Sequence, residues 1–125
     1  MEVLEFVDLA RLANEYAGRL SGGQKKLLEL ARTLMANPRL VLLDEPAAGV
    51  NRTLMKKLVD NIEYLRRERG ITFLLIEHDM DLVMELCDPV IVMSEGRRLM
   101  EGRPEEVRRD PRVLEAYLGG QYGAA

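Results

Sequence analysis

A single cysteine, Cys87, stands in 125 residues. No internal disulfide is available, and such sparing cysteine use fits a reduced, cytosolic protein. No apolar run approaches the roughly 20 residues that a membrane-spanning helix needs. The opening stretch MEVLEFVDLA has neither the basic region nor the long apolar core of a signal peptide, so none is expected. Neither sign of charge dominates: 18 Lys+Arg stand against 21 Asp+Glu, a net charge of −3. With no basic stripe either, nucleic acid is not expected as a partner. Internal repeats and low-complexity linkers are also missing. What remains, 47% hydrophobic and 31% charged residues, is the balance of a globular domain rather than a disordered tail. The length allows one core and excludes a two-domain enzyme.

Periodicity sets out the elements. Val3, Leu4, Val7 and Leu12, with Phe6 alongside, suit a helix over 2–12, and Asn14–Leu20 reads as a connection. From Ser21, the residues Leu27, Leu28, Ala31, Leu34 and Met35 recur at helical spacing until Asn37-Pro38 stops the run. Leu40–Leu43, ending in Asp44-Glu45-Pro46, is the short continuous apolar run of a parallel strand covered on both faces. Leu54, Leu58, Ile62 and Leu65 mark a helix closed by Gly70. Ile71–Ile76 is a second buried strand, followed by Glu77-His78-Asp79 and a short helix carrying Met80, Val83 and Leu86. Val90–Met93 and Arg97–Met100 flank Ser94-Glu95-Gly96 as a hairpin. Pro104 and Pro111 open two last helices, and Gly119–Ala125 is expected to be a frayed tail. Strand and helix alternate, so the class is α/β with a mostly parallel sheet flanked by helices and a C-terminal hairpin with helices.

The chemistry-bearing residues fall at strand ends, where open α/β sheets bind ligands. Asp44 is placed to hold Mg²⁺, directly or through water, while Glu45 can polarise an attacking water. His78 offers a hydrogen bond to a terminal phosphate. A capped turn after a buried strand, and a structural histidine, are the plainer alternatives. Ser21, with Gln24 three residues on, has the spacing of a capping box. Gly22 and Gly23 are poor helix formers, yet they present bare amides to an anion at the positive end of the helix dipole. Met55, Met80, Met84, Met93, Met100 and Cys87 suit packing better than metal binding or reactivity.

LSGGQ, the helix KKLLELARTLMANP, LVLLDEP and LLIEHD, in that order, resemble the second half of an ABC-type ATPase, whose core is a P-loop NTPase fold. EPAAGVN, IEHDMDLVMELCD and EGRPEEVRRDPRVLEAYLGG are similar to the ATP-binding subunit of branched-chain amino-acid importers, with lipopolysaccharide-export ATPases sharing parts of the pattern. The resemblance implies the following roles. Leu20–Gln24 is the signature motif, whose Ser21, Gly22, Gly23 and Gln24 meet the ATP phosphate held by a second ATPase subunit. Asp44 ends the Walker B strand as the Mg²⁺ carboxylate, Glu45 is the catalytic carboxylate, and His78 is the switch histidine. Ala48–Asn51 is the D-loop, with Asn51 where many members have Asp. Residues 1–20 then end a helical subdomain, 21–118 form the C-terminal part of the ATPase core, and 119–125 the tail. The implied cofactors are ATP and Mg²⁺. The implied partners are the second subunit and transmembrane permease subunits, at the inner face of the cell membrane.

No G-x-x-x-x-G-K-[ST] occurs in the sequence. The resemblance places that P-loop, which cradles the phosphates, upstream of residue 1. The isolated chain is therefore expected not to hydrolyse ATP. Its central strands are expected to be partly uncovered, so self-association is also expected. A non-enzymatic split or vestigial module and a non-transport ABC ATPase are the alternative readings. The heptad segments of the chromosome-maintenance type are absent.

Overall fold

The computed structural model describes residues 2–122. It divides into two compact units, Met1–Glu77 and His78–Ala125. The division falls inside Ile76-Glu77-His78-Asp79, where no change of composition marks it. Among the described residues no helix is long and apolar enough to cross a membrane.

The first unit contains α1 (Glu2–Phe6), α2 (Gly22–Leu34), β1 (Leu40–Asp44), α3 (Arg52–Arg69) and β2 (Thr72–Ile76), with 3-10 turns at Ala10–Leu12 and Ala17–Arg19. The helix expected over 2–12 is broken. Asp8 takes φ 59°, and the Leu9 N–H donates to the Leu4 carbonyl at 2.8 Å, the bond pattern that closes a helix through a left-handed residue. Aspartate tolerates that conformation better than most residues, and its carboxylate pairs with Lys57. The other boundaries follow the expected stops. Asn37 turns left-handed ahead of Pro38, and Gly70 caps α3 at φ 63°. Leu27, Leu30, Ala31 and Leu34 of α2 and Leu58, Val59, Ile62 and Leu65 of α3 are buried. The two helices pack on one another, and α3 packs on β2.

β1 and β2 pair in parallel, from Leu40 opposite Thr72 to Asp44 opposite Ile76. Side chains alternate between faces along a strand. Val41 is buried, and Leu43, Phe73 and Leu75 share its face half-buried. The other face is open: Leu40, Leu42, Leu74 and Ile76 are 54%, 67%, 52% and 59% exposed. Strands covered on both faces, as their apolar runs suggest, are therefore not found among the described residues, whereas the partial uncovering is.

The second unit comprises α4 (Met80–Leu86), β3 (Val90–Ser94), β4 (Arg97–Gly102), α5 (Pro104–Arg109) and α6 (Pro111–Tyr122). β3 and β4 form the expected antiparallel hairpin, with an irregularity at Val92/Met93. Glu95 and Gly96 both have positive φ, 49° and 73°, as a two-residue turn matched to strand twist requires. Val90, Val107 and Val113 are its core, with Met80, Met84, Met100 and Cys87 packed against them. Burial raises the Cys87 thiol pKa above its ordinary value. α6 continues to Tyr122, through glycines expected to belong to a frayed tail. Residues 123–125 of that tail lie outside the described residues.

Candidate functional site

The first cluster is the start of α2. Ser21 is extended, at φ −63° and ψ 161°, and its Oγ accepts the Gln24 N–H at 3.2 Å. The Gln24 Oε1 accepts the Ser21 N–H in return at 2.9 Å. The capping box read from the spacing is thus formed. It leaves the Gly22 and Gly23 amides as donors that the helix's own ladder cannot use. The two glycines differ in setting. Gly22 is exposed, and a Cβ there would lie 3.8 Å from the Gly49 carbonyl oxygen. Gly23 is buried, and a Cβ there would meet Leu54 Cδ1 at 2.1 Å. The start of α2 therefore lies against the segment that follows Glu45, and Gly23 owes its identity partly to the close approach of α3.

The second cluster is the carboxyl edge of β1. Asp44 and Glu45 are both exposed. Asp44 ends the strand and borders a hollow of about 150 Å³ with Lys26, Glu29 and Thr33. The ladder runs one bond further, since the Glu45 N–H donates to the Ile76 carbonyl at 2.8 Å. The chain then leaves the sheet abruptly: Glu45 sits at φ 45°. A side chain with a Cβ holds that conformation at a cost of about 1–2 kcal/mol, so the surroundings must enforce it. Pro46 is buried and brings no N–H. The Ala47 N–H donates to Glu77 Oε1 at 2.8 Å, and the Ala48 N–H returns to the Glu45 carbonyl at 3.1 Å. Gly49, at φ 71°, leads to Asn51, whose Oδ1 accepts the Leu54 N–H at 3.0 Å as the cap of α3.

His78 begins the second unit and is exposed. The Tyr117 hydroxyl of α6 donates to its backbone carbonyl at 2.7 Å. Asp79 next to it caps α4 by accepting the Leu82 N–H at 3.1 Å. The structure thus brings the Gly22-Gly23 start of α2 against Gly49 and Leu54, in the segment after Glu45, within the first unit. It places His78 with the C-terminal helices in the second. The larger hollow of the second unit, about 630 Å³ and bordered by Pro89 and the 98–103 stretch, holds none of the expected site residues.

Hard carboxylate oxygens at a sheet edge suit Mg²⁺. No group of three or more His, Cys, Asp or Glu able to hold a metal is found among the described residues. The exposed Asp44 carboxylate has the oxygen chemistry taken by a Mg²⁺ that uses one or two protein carboxylates and completes its shell with phosphate and water. Sequence reasoning gave no role to Glu77 and did not foresee the Gly23–Leu54 contact. For Glu77 the available signal was its place directly after the second strand.

Comparison with known proteins finds relatives in sequence and in fold. Residues 1–48 match the ABC transporter family, and residues 97–123 match the branched-chain amino acid ATP-binding cassette transporter family. A solved ATP-binding cassette of an ABC transporter, MJ1267 in its ADP conformation, superposes with a TM-score of 0.85 at 43% identity, covering 94% of this chain and 48% of that one. In sequence and fold the chain resembles about half of an ABC transporter ATP-binding cassette. The high-affinity branched-chain amino acid transport ATP-binding protein BraF of Pseudomonas aeruginosa is 48% identical over 116 residues, 93% of this chain and 46% of that protein. The probable branched-chain amino acid transport ATP-binding protein LivG of Methanocaldococcus jannaschii is 44% identical over 122 residues, 94% of this chain and 47% of that protein. The chain spans about half the length of the curated relatives it matches. The cassette cbiO1 from Clostridium perfringens, part of the cbiONQ transporter complex, is more distant, at 32% identity and a TM-score of 0.78 over 96% of this chain and 49% of that one.

Proposed function

We propose that this chain supplies the signature and carboxylate half of a cassette that couples ATP binding and hydrolysis to import, with branched-chain amino acids as cargo. The observation that carries the reading is the left-handed Glu45 at the carboxyl edge of β1, beside Asp44 and beyond a covered strand face. Glu45 is exposed at that edge, where a nucleotide phosphate and an attacking water would meet it. In this reading Glu45 accepts the water's proton. His78 donates a hydrogen bond to the terminal phosphate. Ser21 and the Gly22 and Gly23 amides receive the ATP phosphate of a second subunit, with Gln24 fixing their helix start. Asn51, capping α3, holds the loop that faces that subunit. Asp44 holds Mg²⁺, which neutralises phosphate charge when bound. The subunit then works from the inner face of the membrane, against permease subunits. The branched-chain amino acid transport roles of the relatives support the cargo.

No P-loop lies in the sequence, so the isolated chain is expected to turn over ATP negligibly. An ATP turnover assay on the purified chain, with Glu45→Gln as the control for contamination, checks this. Robust turnover abolished by Glu45→Gln would show that the phosphate cradle is dispensable.

The open face of the β1–β2 sheet supports a second component of the proposal. Leu40, Leu42, Leu74 and Ile76 form a contiguous apolar patch of a kind that marks association surfaces, and covering each returns about 1–2 kcal/mol. The remaining half of a cassette covers this face in a longer protein, and in its absence copies of the chain associate through it. Light scattering of the purified chain should report an oligomer. A stable monomer at high concentration would remove the second part.

A further inference from the structure

Two consecutive residues of the second strand region hold the turn that follows β1. Ile76 contributes its backbone carbonyl, which accepts the Glu45 N–H at 2.8 Å. Glu77 contributes its side chain, whose Oε1 accepts the Ala47 N–H at 2.8 Å. Pro46 lies between the two tethered amides and has none of its own. The Ala48 N–H is spent within the turn, on the Glu45 carbonyl at 3.1 Å. Removing the Glu77 carboxylate would leave Glu45 itself as the turn's backbone-amide tether to that strand. Glu45 is also the residue at φ 45°, a conformation that persists only where its surroundings over-determine it. Glu77 is half-buried, so water competes less well for the Ala47 amide than it would on an open surface.

We infer that Glu77 is a positioning residue for Glu45: its carboxylate fixes the Pro46–Ala48 turn and so keeps Glu45 left-handed, with its carboxylate at the sheet edge. The inference rests on the reading of Glu45 as the hydrolytic carboxylate. What it adds is a specific acceptor, one residue before the histidine, without which that carboxylate loses its aim. A Glu77 that served only solubility would leave the Ala47 amide exchanging freely and Glu45 indifferent to substitution.

Nuclear magnetic resonance of the isotope-labelled 125-residue chain tests this without nucleotide. In Glu77→Ala, exchange of the Ala47 amide should rise by about tenfold or more, the loss expected when one hydrogen bond worth about 1.4 kcal/mol is removed. The Glu45 Cα and Hα shifts should move away from left-handed values in the same variant. Glu77→Gln keeps an oxygen acceptor and should restore most of both properties. Unchanged Ala47 exchange and Glu45 shifts in a folded Glu77→Ala chain would overturn the inference, as would a Gln variant no better than Ala. Should Glu77→Ala fail to fold, a scalar coupling across the hydrogen bond, between Ala47 nitrogen and Glu77 Cδ in the unsubstituted chain, decides the matter. Its presence supports the inference and its absence overturns it. A chain that shows the tether but supports no Glu45-dependent ATP turnover when mixed with a polypeptide carrying the P-loop half of a related cassette would instead count against the reading of Glu45.

Discussion

Gly23→Ala tests the link between the start of α2 and the segment beyond Glu45. A Cβ at position 23 would lie 2.1 Å from Leu54 Cδ1, 3.3 Å from its Cγ and 3.5 Å from its Cβ, where carbon contacts prefer about 3.5–4.0 Å. The methyl group must swing away, and the leucine stem must yield by a few tenths of an ångström. The stem has little freedom, because Leu54 lies in the first turn of α3 and its N–H is held by Asn51 Oδ1 at 3.0 Å. Overpacking of this kind costs about 1–3 kcal/mol. Alanine's preference over glycine in helices returns up to about 1 kcal/mol, less in a first turn. The net expectation is a loss of about 1–2 kcal/mol. Leu54→Ala alone should cost about 2 kcal/mol, the low end for leucine because the side chain is half-buried. The double variant lets the new methyl group occupy the vacated space, so its cost should fall short of the sum by about 1 kcal/mol or more. Urea unfolding followed by circular dichroism gives all four corners of the cycle. A neutral or stabilising Gly23→Ala, with costs that simply add, would refute the packing role of this glycine.

Asn51→Ala should destabilise the chain by about 1 kcal/mol through loss of the α3 cap, while Asn51→Asp should be close to neutral; the same unfolding measurement compares them. The Arg112 guanidinium, bonded to both carboxylate oxygens of Asp110 at 3.1 and 2.8 Å, lowers that carboxyl pKa from 3.8 to about 2. A depressed carboxyl pKa contributes stability above the ordinary value that is lost as pH falls from about 4 toward 2, so a carboxyl titration should find Asp110 near 2. Arg112→Ala should return it toward the ordinary range. Leu42→Glu, on the open sheet face, should reduce the association seen by light scattering without unfolding the chain; an unchanged oligomer would place the contact elsewhere.

Most element types and several boundaries were legible because local chemistry dictates them. Asn37-Pro38, Gly70, Glu95-Gly96, Pro104 and Pro111 punctuate the chain wherever they stand, and Ser21 with Gln24 forms its capping box from local geometry. Most of the misses have a different cause, being decided by a distant group. Asp8 leaves the helix and pairs with Lys57. The apolar runs of β1 and β2 suit burial on both faces, but which face is covered depends on where α3 packs. Asp44, Glu45 and His78 stood out by residue type at or just after strand ends. Glu77 did not, because its role comes from an amide 30 positions away, and Gly23 read as an anion contact before its packing against Leu54 was visible. α6 runs through Gly119-Gly120 against local propensity, for which we have no physical account.

The central proposal is that the Ser21–Gln24 helix start and the Asp44-Glu45 edge supply one half of an ATP site, the sequence having no P-loop. Mixing the purified chain with a separately produced polypeptide that carries the P-loop half of a related cassette measures this directly. Turnover of ATP should be negligible for either piece, appear on mixing, and vanish when the chain carries Glu45→Gln. Turnover by this chain alone, or a mixture whose turnover is indifferent to Glu45→Gln, would contradict the account.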